Sequence, residues 1–325
     1  MRFGVISTAA IGVDDVIPAI QASDHSVAAI ASRDTGRADR VADALGIPRA
    51  YGSYDALLDD EALEAVYIPL PNGLHAEWIR RAADAGLHVL SEKPLTGDAE
   101  ETAAVFDYCE ARDVVLMEAF MYRFHPRTER ALAIVRDELG PVTSVQSAFT
   151  FRMPDGAEDI RLDPDLDGGS VMDVGCYAIS AARLFLGEPD RVHATTADTR
   201  SSGVDSRMAA VLEYESGASA TLTSGFDTPE TQYYRVLTTD GWLKTEPAFN
   251  IDPAAPATLT YAVGGREVTE TFEPVDDYRL EVEAFAEAVE TGQSPRVDRA
   301  ESVGNMRVID AIYRSAETGS PVVLD

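Results

Sequence analysis

The sequence predicts an α/β protein, with a doubly wound parallel sheet over residues 1–121 and an α+β domain over residues 122–325. Three observations carry this reading. Short apolar runs alternate with amphipathic helical stretches as far as about residue 120, the pattern of a parallel sheet covered by helices. The first apolar run empties into a turn of small residues, Ser7-Thr8-Ala9-Ala10-Ile11-Gly12, where such sheets hold an anionic ligand. After residue 122 the alternation stops, and segments of period-two polarity follow between glycine-containing turns, as one face of a large sheet requires.

In chain order, strands are expected at residues 3–7, 26–32, 65–68, 88–91 and 114–118, with helices at 13–22, 35–45, 54–58, 74–85 and 99–111. Gly36, Gly46 and Gly86 stand where helix ends and turns need them. A helix near 127–138 opens the second part, followed by strands near 142–152, 191–199, 209–214, 218–226 and 233–238. Ser219-Ala220-Thr221-Leu222-Thr223-Ser224 alternates small or polar with apolar side chains, and Ser216-Gly217, Asp240-Gly241 and Gly264-Gly265 read as turns. Two helices, near 278–290 and 299–315, close the chain.

Fifty-six acidic residues stand against 27 basic ones, a net charge of −29, and the acids are spread along the whole chain. Self-repulsion on such a surface is relieved by salt, which shortens the Debye length to about 3 Å at 1 M. Only two lysines occur, Lys93 and Lys244. Acid excess with lysine loss points to a salt-accumulating cytoplasm. The same charge excludes nucleic acid and anionic membrane as partners. No stretch approaches the ~20 apolar residues of a membrane span, and the N-terminus enters a strand without signal-peptide character. Cys109 and Cys176 are far apart and form no metal-ligand spacing.

In a Rossmann-type sheet the first strand-helix turn cradles a dinucleotide pyrophosphate. Against GxGxxG the turn here keeps only Gly12, with Ser7 and Ala9 at the first two glycine positions. The second strand ends in Ala31-Ser32-Arg33-Asp34, with Arg37 one helical turn later. Ser32, Arg33 and Arg37 suit a 2′-phosphate, so NADP is favoured; Asp34 leaves NAD open through its ribose hydroxyl.

Three clusters fall at the carboxyl ends of the later strands, where ligands of open parallel sheets lie. The first is Ile68-Pro69-Leu70-Pro71-Asn72-Gly73-Leu74-His75, in which Asn72 is either a cofactor contact or a helix cap. The second is Ser91-Glu92-Lys93-Pro94. A partly buried lysine exchanges a proton near neutral pH as an arginine cannot, and Pro94 biases Lys93 to an extended backbone. The third, Met117-Glu118-Ala119-Phe120-Met121-Tyr122-Arg123-Phe124-His125-Pro126, reads as a domain hinge, a site, or both. In the second part, Asp167-Gly168-Gly169-Ser170-Val171-Met172-Asp173-Val174-Gly175-Cys176-Tyr177 interrupts the sheet pattern. Its glycines allow close backbone approach to a ligand, and Asp173 and Tyr177 fall four apart, on one helical face.

Taken together, Glu92-Lys93-Pro94, the Pro-x-Pro-Asn-x-x-His run over 69–75 and the Met-Glu-Ala-Phe-Met-x-Arg run over 117–123 resemble the glucose-fructose oxidoreductase / inositol dehydrogenase family across essentially the whole chain. The tyrosine at 177 is similar to the branch with dimeric dihydrodiol dehydrogenase and NADP-dependent xylose dehydrogenases; the inositol branch has histidine there. The resemblance implies a nicotinamide cofactor in the first domain, held by Ser7, Thr8, Ala9, Ala10, Ile11, Ser32, Arg33, Arg37, Pro69, Leu70, Asn72, His75, Glu92, Lys93 and Arg123. It further implies a largely antiparallel, open-faced second sheet that joins homodimers or homotetramers. It matches Lys93, Asp173 and Tyr177 to the family's catalytic positions. Tyr177 is then the general base, its pKa lowered by the Lys93 ammonium, with Asp173 orienting the amine or the sugar; the alternative makes Lys93 the base. The implied activity is NADP-dependent oxidation of an aldose, D-xylose or D-glucose, at C1 to the lactone. Dihydrodiol oxidation and keto- or anhydro-sugar reduction are alternatives of the same class, and a non-catalytic sugar or cofactor sensor is the rival of another class.

Overall fold

Near-continuous apolar runs build the first sheet of the protein, which a computed structural model describes for residues 1–324. Its first half runs β1 (Arg2–Ile6), α1 (Ile17–Gln21), β2 (Ser26–Ala31), α2 (Thr35–Leu45), β3 (Ala50–Tyr51) and α3 (Tyr54–Leu58). The second half adds β4 (Ala65–Ile68), α4 (His75–Asp84), β5 (His88–Ser91), α5 (Ala99–Glu110) and β6 (Leu116–Glu118). All six strands are parallel, in the order β3-β2-β1-β4-β5-β6. Every residue of β4 and β6 is buried, as expected when helices cover both faces of a parallel sheet. The order reverses between β1 and β4, which makes the carboxyl ends of these two strands the crevice for a ligand.

The chain continues with α6 (Pro126–Glu138), β7 (Val142–Arg152), α7 (Cys176–Leu186), β8 (Arg191–Ala197), β9 (Arg207–Glu213) and β10 (Ser219–Gly225). It then forms β11 (Asp227–Thr238), β12 (Gly241–Thr245), β13 (Ala257–Val263), β14 (Arg266–Phe272), α8 (Asp277–Thr291), α9 (Arg299–Thr318) and β15 (Val322–Val323). The second sheet has nine strands in the order β14-β13-β12-β11-β7-β10-β9-β8-β15. All its pairs are antiparallel except β7 with β10. Strand β9 alternates strictly, burying Met208, Ala210 and Leu212 and exposing Arg207, Ala209, Val211 and Glu213. One face is therefore core and the other open. The core face is covered by α7, which packs on β7, β10 and β11 and is buried from Cys176 to Arg183.

Two compact units result, Met1–Met121 with Tyr278–Val303, and Tyr122–Asp277 with Gly304–Asp325. The sequence reading assigns all of 122–325 to the second part, whereas most of α8 and the start of α9 belong to the first unit. The reason is local packing: the Phe285 ring lies 6.0 Å from Phe3 of β1, and Arg299 pairs with Asp107 of α5. The first unit's leading segment ends at Met121. Among the described residues no helix is long and apolar enough to cross a membrane.

Candidate active site

The turn after β1 has the shape of a glycine-rich phosphate loop built with hardly any glycine. Ser7 stands where the fingerprint has its first glycine, and its φ is 126°, a region that favours glycine. Its own hydroxyl offsets part of that strain by accepting a hydrogen bond from Ala9 N at 3.1 Å. Gly12 is the position of close helix-strand packing: a Cβ there would lie 3.2 Å from Pro69 Cγ and 3.5 Å from Tyr67 Cε1. The helix entered at Ala10 widens into a single π turn over Gly12–Val16, a local feature frequent at functional sites. Among the described residues Ile11, which precedes the π turn, makes no side-chain cap, and a helix start presents N–H groups and a positive dipole end that suit an anion.

At the β2 end Asp34 has a local partner. That carboxylate is the N-cap of α2, accepting from Arg37 N at 3.1 Å. It is spent on the helix, which favours the phosphate reading of Ser32, Arg33 and Arg37 over a ribose carboxylate. Ser32 is buried and its Oγ accepts from Asp34 N at 3.2 Å. Arg37 Nη2 donates to Thr8 O at 2.9 Å, tying the α2 arginine to the β1 turn, and Arg33 is exposed beside it.

Lys93 lies at the carboxyl end of β5, half-buried, with a cis bond to Pro94. Its corner is braced by buried polar groups. Glu118 Oε1, from β6, accepts from Leu95 N at 2.9 Å. Tyr67 in β4 donates its hydroxyl to Glu92 Oε1 at 2.7 Å, and burial with that carboxylate holds the phenol well above its ordinary pKa. His75 braces the same corner from within. It is fully buried, with Nδ1 3.0 Å from Pro94 O and Nε2 2.7 Å from Leu70 O. Both ring nitrogens thus face main-chain carbonyls, and the ring ties the Leu70 loop to the Lys93 loop. Burial lowers the His75 pKa, against the Leu70 and Pro94 carbonyls, which raise it, and the nearby Lys93 charge adds to the lowering. Asn72 does not cap α4; it opens a 3₁₀ turn, Asn72–Leu74, and Leu74 holds the cap position.

In the second unit the helix carrying Asp173 and Tyr177 also starts with a π turn, Val171–Gly175. The wide turn replaces the regular α spacing on which their shared face was predicted. Its start is held by Asp205, a buried carboxylate reached by Val171 N at 3.0 Å, Ser170 Oγ at 2.6 Å and Tyr313 Oη at 2.8 Å. Burial pushes the Asp205 carboxyl above its usual range, against these bonds, which pull it down. Asp173 pairs with Arg161, Nε to Oδ2 at 3.0 Å. Tyr177 is buried in a nest of rings, 5.5 Å from Phe149, 5.4 Å from Phe249 and 6.0 Å from Tyr122. Arg123, expected beside the cofactor, lies in this unit and is buried with Nη1 3.5 Å from Ser180 Oγ, one turn beyond Tyr177.

The first unit therefore gathers Ser7, Thr8, Ala9, Ala10, Ile11, Ser32, Arg33, Arg37, Pro69, Leu70, Asn72, Glu92 and Lys93 at the carboxyl ends of β1, β2, β4 and β5. The second gathers Asp173, Tyr177 and Arg123 around α7. Sequence reasoning missed Arg161, Asp205 and Phe249, each distant in sequence from the motif it supports. Lys244, the other lysine, is exposed on β12, with Nζ 5.8 Å from the Trp242 ring.

Comparison with known proteins agrees with this division. The model for the oxidoreductase family with an NAD-binding Rossmann fold matches residues 1–120, and that for the GFO/IDH/MocA C-terminal domain matches residues 130–244. The chain is 72% identical over its full length, and over the full length of the relative, to D-xylose 1-dehydrogenase (NADP(+)) 2 of Haloferax volcanii. Among solved structures it is similar to a 3-ketoreductase from Actinomadura kijaniata in complex with NADP and TDP-benzene, at 34% identity, TM-score 0.91 and 97% of each chain. It is likewise similar to the aldose-aldose oxidoreductase of Caulobacter crescentus, at 29% identity and TM-score 0.92, over 100% of this chain and 99% of that one.

Proposed function

Because the chain belongs to the GFO/IDH/MocA oxidoreductase family, we propose that it is an NADP-dependent aldose dehydrogenase that oxidises D-xylose at C1 to the lactone. The observation that carries this reading is the end-to-end 72% identity with the Haloferax volcanii enzyme of that name. The acid-rich, lysine-poor surface suits the same salty surroundings. The β1 turn fits a dinucleotide: Ser7 takes the glycine-like φ, Gly12 admits the helix against Pro69, and the helix start is uncapped. Arg33 and Ser32 would meet the 2′-phosphate, with Asp34 engaged as a helix cap.

When bound, the nicotinamide accepts the hydride that leaves C1. The protein's part is to take the hydroxyl proton and hold the sugar still. Tyr177 is assigned as the base. Apolar rings around a phenol favour its neutral form, so a basic Tyr177 needs a cation, and the reading assigns that role to the Lys93 ammonium. Asp173 orients the sugar hydroxyls. A homo-oligomer through the open face of the second sheet and a cytoplasmic location belong to the same proposal.

The test is a panel of aldoses with NADP+ and NAD+ in molar KCl, run on the wild type and on Tyr177→Phe. D-Xylose with NADP+ should give the highest kcat/KM, and Tyr177→Phe should lower kcat by about 10²–10⁴-fold. Near-normal turnover by Tyr177→Phe would remove the tyrosine assignment and leave Lys93 as the base. A wild type inert on every aldose would end the dehydrogenase reading.

A further inference from the structure

The glycine pair 168–169 is expected to clear room for a ligand, yet the backbone it admits is that of the chain itself. A Cβ on Gly168 would lie 2.6 Å from Arg161 O and 2.9 Å from Asp163 O. Gly169, at φ 121°, donates its N–H to Arg161 O at 2.8 Å. On the other side, Arg161 N donates to Asp159 Oδ1 at 2.9 Å. The main chain of Arg161 is thus held from both directions. Its side chain is held as well, Nε on Asp173 Oδ2 at 3.0 Å and Nη1 on Asp159 Oδ1 and Oδ2 at 3.2 and 3.3 Å. The Arg161 side chain is nonetheless 44% exposed, while that of Asp173 is only 15% exposed.

An ordinary surface ion pair contributes about 1 kcal/mol or less and is seldom fixed this tightly. A guanidinium pinned by Nε and Nη1 presents Nη2 as a pre-aimed donor beside the Asp173 carboxylate. A donor next to an acceptor matches a sugar, whose hydroxyls both give and receive hydrogen bonds. Charge narrows the ligand further. One guanidinium between two carboxylates, Asp159 and Asp173, leaves the patch net negative, which suits a neutral polyol and opposes a sugar phosphate or nucleotide sugar. Resting on the aldose reading above, we infer that Arg161 is a substrate-binding residue. It donates Nη2–H to a hydroxyl of a neutral aldose held at Asp173, and the glycine pair serves to anchor it.

Isothermal titration of D-xylose into the NADPH-loaded full chain, with initial rates in parallel, tests this on Arg161→Gln and Arg161→Lys. Arg161→Gln should raise the sugar Kd and KM at least tenfold, with kcat within threefold and the NADP+ KM within twofold of wild type. Arg161→Lys, which keeps the charge and loses the planar fork, should fall between. D-Xylose 5-phosphate should bind the wild type at least tenfold more weakly than D-xylose. An unchanged sugar Kd in Arg161→Gln overturns the inference, and so does a fall in kcat alone, which would make the arginine a positioning group for Asp173. A thermal melt of each variant identifies misfolding, in which case Arg161→Lys decides. A wild type that binds D-xylose without oxidising it refutes the dehydrogenase reading while the titration still decides Arg161; one that binds no neutral aldose refutes both.

Discussion

Two helices of this molecule begin with a π turn, and their N-termini are treated in opposite ways. In the first unit, among the described residues, Ile11 before Gly12–Val16 makes no side-chain cap, and a helix start of this kind suits a ligand's negative charge. In the second unit the start at Val171 is filled from within, because Asp205 brings a buried carboxylate to Val171 N, Ser170 Oγ and Tyr313 Oη. A third helix shows a middle course: α6 is capped by a neutral ring, His125 Nδ1 accepting from Arg127 N at 3.0 Å. On the proposed reading the difference separates a helix start that binds from one that positions. On that reading the first unit's start receives a ligand phosphate, while the second unit's start is held from within and serves as a rigid mount for Asp173 and Tyr177.

The largest effect should come from emptying the filled start. Asp205→Ala strands the buried Val171 N–H and takes an acceptor from Ser170 and from the part-buried Tyr313, and should cost about 3–5 kcal/mol of stability, read by denaturant unfolding in molar KCl. Asp205→Asn, which keeps one acceptor oxygen, should cost less than half as much, and NADP+ affinity should stay within twofold in both. If Asp205→Ala instead weakened NADP+ binding with stability intact, the two starts would not differ as described. The converse change fills the open start. Ala10→Asp places a carboxylate where a phosphate is expected and should raise the NADP+ KM about 100-fold or more, while a favourable dipole contact leaves stability equal or slightly higher. The neutral cap is tested by pH. Burial, aided by the Arg127 charge, lowers the His125 pKa from its usual value to about 4. The folded state therefore holds this ring neutral while the unfolded chain protonates it near ~6.5. Stability is fully present above that value and is lost as pH falls through about 4, by on the order of 3 kcal/mol. In His125→Asn that part of the slope should vanish, with the acceptor to Arg127 N retained.

The strands at 65–68 and 88–91 are legible to the residue in the sequence, because buried parallel strands are unbroken apolar runs closed by proline or polar signals. The edge strand β3, two residues of intermediate burial, carries no such signal. The period-two pattern of β9 and β10 is equally plain, whereas β12 to β14 show in the sequence only through the turns at 240–241 and 264–265. For the candidate site, Lys93 announces itself through rarity and position, and Ser7 through its place after β1. Arg161 and Asp205 do not, since each acts across a loop or a strand and single-sequence spacing does not report such distances. His75 shows the same limit: the motif makes it conspicuous, but only the fold reveals its ring turned inward onto two carbonyls.

The paucity of lysine has a practical side. Apart from the α-amino group, which lies 3.1 Å from His25 Nδ1, the chain carries just two primary amines, Lys244 exposed on an outer strand and Lys93 half-buried at the end of β5. An amine-specific label followed by peptide mass analysis therefore yields a two-channel signal from unmodified protein. Lys244 reports reagent dose, and the ratio of Lys93 to Lys244 reports how far the first unit's crevice is covered. The salt-adapted surface thus equips the protein with an internal reference for ligand footprinting, with no engineered tag required.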